Sequence, residues 1–197
     1  VCVKIIFEMI LLLCVIIPIF AFIFESYPRF INRKMGVDIW THLIYLKEYY
    51  KQKGIPKKIE NGFLIPGTYD YPPTFIFIVS KFPFKLVEKY EFLFSPFFDA
   101  IHLILIFFIV NLLTGNIFIA LLTQLLYAFT PIIILENSYA TPRSLGYTLF
   151  TVVFMSLFLY QLTGGYYLFL LSIVAGSLIF LSHRFTTQGF LFFSIFF

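Results

Sequence analysis

In the run Gly36-Val37-Asp38-Ile39-Trp40-Thr41-His42 an aspartate and a histidine stand four residues apart. On a helix these positions share a face, so carboxylate and imidazole would meet side by side. Such a pair suits acid–base work. The carboxylate would act as a general base or hold a cation, with the histidine orienting it or contacting phosphate. The same pair has a plain structural use, Asp38 as a helix N-cap and His42 as an interfacial side chain. Arg143 follows Thr141-Pro142, and Arg184 follows His183. Guanidinium is suited to forked contacts with phosphate oxygens, although either arginine alone reads as a snorkelling anchor. Thr141 and Pro142 read as the N-cap and first residue of a helix. Tyr71 precedes two prolines, which favour extended backbone before them. Asp99 and His102, three residues apart, begin an apolar run, and Glu136 opens the polar stretch that ends at Arg143. No phosphate-binding lysine loop, dinucleotide glycine pattern, His-Glu-x-x-His or Cys-x-x-Cys is present. ATP hydrolysis, dinucleotide binding and zinc peptidase chemistry therefore have no support.

The elements that must position these residues are set by composition. Of 197 residues, 60% are apolar, 22% aromatic and 12% charged, against roughly 45–50% apolar and about 25% charged in soluble domains. The chain belongs in a membrane, and intrinsic disorder, which needs low hydrophobicity, is excluded. Its net charge of +4 points to lipid head groups or a lipid-linked phosphate as the anionic partner, not nucleic acid. Cys2 and Cys14 share one apolar stretch, about 18 Å apart at a rise of about 1.5 Å per residue, too far to bridge.

Hydropathy predicts an all-α, polytopic transmembrane bundle in one domain, 1–197, with five full spans at 5–24, 97–113, 117–135, 145–160 and 166–181. Ser95-Pro96 would cap and open the second. A truncated sixth at 189–197 is too short to cross about 30 Å of hydrocarbon, so the chain reads as the N-terminal part of a longer protein. The first span reads as an uncleaved anchor, because Ala21-Phe22-Ile23-Phe24 offers no small-residue cleavage site. Segment 25–91 holds every basic residue except Lys4, Arg143 and Arg184. It reads as a long amphipathic loop with interfacial helices: a helix over 36–50 ended by Gly54, a basic patch of Lys51, Lys53, Lys57 and Lys58, then an extended strip at 69–73 feeding a short apolar helix at 74–79. If each span crosses once, segments 25–91, 136–143 and 182–188 lie on one side. Only the featureless turns 114–116 and 161–165 lie on the other.

Taken together, the Gly36–Leu43 motif in a long first loop, the basic helix end, Tyr71-Pro72-Pro73 with its short apolar helix, Thr141-Pro142-Arg143 and His183-Arg184 resemble the N-terminal half of a GT-C glycosyltransferase. The resemblance implies sugar transfer from a polyprenyl-phosphate-linked donor at the extracytoplasmic face of the membrane. It implies Asp38 as the catalytic residue, with His42, Tyr71, Arg143, His183 and Arg184 binding substrate or lipid phosphate. Asp99, His102 and Glu136 are secondary candidates. Many members carry paired acidic residues or Asp-x-Asp here, whereas Ile39 and Trp40 follow Asp38; a divalent metal is left open. The positive-inside rule favours the opposite orientation but weakens for loops beyond about 60 residues. Two other classes stay open: a non-enzymatic transporter or lipid-translocating protein with Asp99 and His102 as a coupling pair, and a catalytically inactive relative in which Asp38 only caps a helix.

Overall fold

A computed structural model of the protein describes residues 2–33, 35, 36, 38–59, 67 and 71–196, with side chains described between 12 and 195. Lys4, Cys2 and its expected separation from Cys14, and the Tyr69-Asp70 part of the extended strip lie outside the described side chains or residues. The described chain is all-helical: among the described residues the only β pairing is an isolated bridge between Ile59 and Gly67.

Helix α1 (Cys2–Ile31) continues past the expected end of the first span at 24. Hydropathy reads Glu25, Ser26 and Arg29 as the start of a loop, but neighbouring helices bury all three. Arg29 Nε donates to Glu91 Oε1 at 2.7 Å in an ion pair with almost no solvent contact. A partner distant in sequence thus lets the helix carry its charges inward. The polar segment that follows holds α2 (Asp38–Gln52), α3 (Thr74–Val79) and α4 (Phe84–Tyr90). These helices and the start of a later one share a small core of Ile39, Leu46, Phe75, Val79, Val87 and Leu145. The polar segment is therefore packed against the bundle.

A 3-10 turn, Glu91–Leu93, joins α4 to α5 (Phe94–Thr114). Ser95 does not cap this helix, as its sequence position suggests; it lies inside the first turn. Its hydroxyl donates to Thr141 O at 3.0 Å and accepts from Thr141 N–H at 2.8 Å. Gly115, at φ 63°, ends α5 in the left-handed conformation that glycine adopts without strain. Asn116 Oδ1 then accepts from the N–H groups of Phe118 and Ile119, capping α6 (Ile117–Ala128). The third expected span does not run straight to 135. It breaks by 59° into α6 and α7 (Pro131–Asn137), because Pro131 has no N–H to continue the ladder and its ring would clash with the preceding turn. Helix α8 (Arg143–Thr163) turns through Gly164 and Gly165 into α9 (Tyr166–Phe180), and α10 (Arg184–Phe196) follows.

Among the described residues three helical stretches are long and apolar enough to cross a membrane, Leu12–Ile31, Phe84–Thr114 and Arg143–Thr163, and the bent α6–α7 pair makes a fourth if counted as one span. The expected fifth span, α9, has 15 residues, about 22 Å at 1.5 Å per residue, short of about 30 Å of hydrocarbon. The bundle exposes apolar side chains and keeps several polar ones inside, as suits a membrane. Phe118, Leu126, Leu170 and Val174 are exposed, whereas Glu25, Asp99 and Gln124 are fully buried. Gln124 Nε2 donates to Cys14 O and Leu103 O, both at 3.0 Å, tying α6 to α1 and α5.

Candidate functional site

Asp38 opens α2, where the helix dipole favours a carboxylate, and it is exposed. The backbone before it is fixed at Gly36, which has φ +91° and lies against the Tyr139 ring so closely that a Cβ would stand 2.9 Å from two ring carbons. Glycine is needed there on both counts. One turn along α2, His42 is buried, its ring edge-on to Tyr71 at 5.1 Å and to Phe75 at 6.2 Å. Burial pushes its pKa down to about 4, with the Asp38 charge pulling the other way. At neutral pH the imidazole is uncharged, and its Nδ1 has no hydrogen-bond partner among the described residues.

Tyr71 sits just before α3. The Thr74 N–H donates to Leu181 O at 2.9 Å, which pins this strip beside the start of α10. Burial raises the Tyr71 pKa, as does Asp38, while Arg143 and Arg184 oppose. The Arg184 guanidinium stands 5.8 Å from the Tyr71 ring centroid, within cation–π range. His183, the residue before α10, caps it: its Nδ1 accepts from the Thr186 N–H at 3.4 Å and pairs with Thr186 Oγ1 at 3.1 Å. With Nδ1 accepting, the ring proton of the neutral form sits on Nε2. Burial first, then Arg143 and His42, lowers the His183 pKa to about 4 against the pull of Asp38 and Glu136. Arg143 begins α8 and forms an ion pair with Glu136. Thr141 was expected to cap this helix, but its hydroxyl is buried without a partner among the described residues; its N–H is used instead, on Ser95.

These residues meet. One cavity of about 340 Å³ is lined by Asp38, His42, Tyr71, Arg143, His183 and Arg184, together with Thr41, Phe185 and Gln188. It draws on all three polar segments that sequence parity put on one side. With both histidines neutral, its lining among the described residues carries two guanidinium groups, Arg143 paired with Glu136 outside it, and one carboxylate. The helix starts at Arg143 and Arg184 add their positive dipole ends. An anionic group beside a proton acceptor is what such a lining can hold.

The secondary candidates separate from this cavity. His102 and Glu136 line a second one of about 380 Å³ with Tyr127, Asn137 and Tyr147, and Asp99 is wholly buried. Sequence reading missed Thr41 and Gln188, which helical spacing from Asp38 (i+3) and Arg184 (i+4) could have found. It also missed Arg29, Glu91 and Gly36, for which no local signal exists. Among the described residues no three His, Cys, Asp or Glu side chains converge as metal ligands. Among the described residues Asp38 is the cavity's one carboxylate and shares it with two arginines, so the described lining does not fit a protein-held divalent metal. No family model, no curated protein and no solved structure matches the chain.

Proposed function

We propose that this chain is an integral membrane glycosyltransferase of the GT-C type, moving a sugar from a polyprenyl-phosphate-linked donor to an acceptor at the extracytoplasmic face. The observation that carries the reading is the single cavity joining Asp38 to Arg143, Arg184 and His183. In this reading Asp38 accepts the proton of an acceptor hydroxyl as its oxygen bonds to the anomeric carbon. The bond from that carbon to the phosphate oxygen breaks, and the leaving polyprenyl phosphate keeps the electron pair. Arg143, Arg184 and the Nε2–H of His183 hold the charge that grows on the phosphate. His42 and Tyr71 shape the wall beside Asp38.

A second reading, transport or lipid translocation without chemistry, is favoured by the 59° break between α6 and α7 beside a cavity lined by His102 and Tyr127. Broken helices at a polar cavity are the usual build of such proteins. Sidedness tests the transferase reading. A reporter cysteine replaces exposed Lys57 in a chain lacking Cys2 and Cys14, and intact cells receive a membrane-impermeant maleimide. Labelling from outside is expected. Labelling only after permeabilisation would remove the extracytoplasmic reaction and favour the second reading.

A further inference from the structure

Away from the Asp38 cavity, two carboxyls face each other inside the helical bundle. Glu25 of α1 and Asp99 of α5 are both fully buried, and their side chains interact directly. Asp99 Oδ1 accepts from the Tyr127 hydroxyl of α6 at 2.9 Å. The remaining oxygens, Glu25 Oε1 and Oε2 and Asp99 Oδ2, receive no N–H or O–H from any described residue. The groups around the pair are His102 on α5, Tyr127 on α6, Asn137 on α7 and Tyr147 on α8, with Glu136 further along the adjoining cavity. Of the neighbouring arginines, Arg29 is paired with Glu91 and Arg143 with Glu136, while His102 Nδ1 lies 3.7 Å from Asp99 Oδ1. Asn137 Nδ2 is buried beside Glu25, near enough to favour its charged form but outside good hydrogen-bonding geometry.

Two ionised carboxylates in contact inside a hydrocarbon-embedded bundle repel each other and lose their hydration. A proton between them removes one charge and supplies the missing donor. With Tyr127 donating to Asp99, the hydrogen bonds beside the pair run one way. A tyrosine hydroxyl has one hydrogen, and Tyr127 spends it on Asp99. His102 Nδ1, 3.1 Å from the same hydroxyl, must therefore donate to it. His102 and Tyr127 also line the cavity of about 380 Å³, so the chain of donors runs from open space to the buried acids.

We infer that Glu25 and Asp99 form a proton-binding site within the bundle, one proton shared between the two carboxyls and connected through Tyr127 and His102 to the cavity at Asn137 and Tyr147. The ligand is a proton and the site holds it at neutral pH. Tyr127 and His102 are the route by which it exchanges. The inference is independent of the reaction assigned to Asp38.

The test uses the full chain in lipid bilayers at neutral pH. Infrared spectroscopy reads the C=O stretch of a protonated carboxyl, and mass spectrometry reads modification by a hydrophobic carbodiimide, which attacks protonated acids. The wild type is expected to show the stretch and to carry the adduct on Glu25 or Asp99. The Glu25→Gln, Asp99→Asn double variant is expected to lose both signals. Glu25→Gln alone places a carboxamide N–H where the shared proton lies, so it should lose the stretch yet keep the wild-type helix content. A wild type without the stretch and without the adduct overturns the inference, as does a double variant that retains the stretch unchanged.

Discussion

Replacing Gly146 with alanine tests how the site is held in place. Gly146 lies in the first turn of α8 and faces Thr186 in the first turn of α10, the residue that fixes the His183 ring. An added Cβ would stand 3.0 Å from Thr186 Cβ and 3.2 Å from its Cγ2, with Oγ1 nearer still. Carbon atoms at rest sit about 3.5–4.0 Å apart. Threonine is branched at Cβ and has no flexible end to swing away. The two helix starts must therefore part by roughly half an ångström to 1 Å. Overpacking of this kind costs about 1–3 kcal/mol. Because His183 Nδ1 rests on Thr186, the imidazole and neighbouring Arg184 move with it, and a misplacement of about 1 Å can cost about 100-fold in rate. Thr186→Ala, which removes the hydroxyl and the methyl, should cost about 0.5–1.5 kcal/mol by itself. In the Gly146→Ala, Thr186→Ala double variant much of the clash is gone, so the total loss should fall short of the sum of the singles by about 1 kcal/mol. Unfolding midpoints of the four proteins in mixed micelles give the cycle. Strictly additive losses, or a Gly146→Ala protein as stable as wild type, would refute the close approach of α8 and α10.

Three further outcomes follow from the same geometry. Arg29→Met or Glu91→Gln alone leaves a buried charge unpaired and should cost about 3–5 kcal/mol, whereas Arg29→Met with Glu91→Leu should cost far less; a double variant as unstable as either single would contradict this. His42 and His183 both have pKa values near 4 in the folded chain against about 6.5 when unfolded. Their depressed values make the folded state most stable above pH ~6.5, with stability lost as pH falls toward 4, on the order of 3 kcal/mol per histidine. His183→Gln should flatten about half of that slope in midpoints measured from neutral to acid pH, and an unchanged slope would count against the burial of His183. Gln124→Leu removes both carbonyl contacts from α6 and should cost about 0.6–1.7 kcal/mol in bilayer or micelle unfolding, with no loss meaning that the contacts are not made.

What could be read ahead of the structure was whatever depends on local period or local chemistry. Asp38 and His42 share a helix face because four residues make about one turn, and Gly115-Asn116 is a turn wherever it occurs. The grouping of Arg143 and His183-Arg184 near them came only from counting membrane crossings, and the cavity does draw on those three segments. Hydropathy failed where backbone or pairing decides. It runs through Thr130-Pro131 because it weighs side chains, not the missing N–H that bends α6 from α7. It stops the first helix at Glu25 because it cannot see that Arg29 meets Glu91, 62 positions away. The Ser95–Thr141 exchange, the cap that His183 provides and the close contacts at Gly36 and Gly146 are tertiary, and no short pattern announces them.

The most direct measurement is sugar transfer by the full-length protein in liposomes, with a labelled polyprenyl-phosphate sugar as donor and Asp38→Asn beside the wild type. Loss of general acid–base assistance should lower the rate about 10²–10⁴-fold while leaving the unfolding midpoint nearly unchanged, since Asp38 is exposed. Transfer by Asp38→Asn at the wild-type rate, from a preparation that binds the donor, would contradict the account.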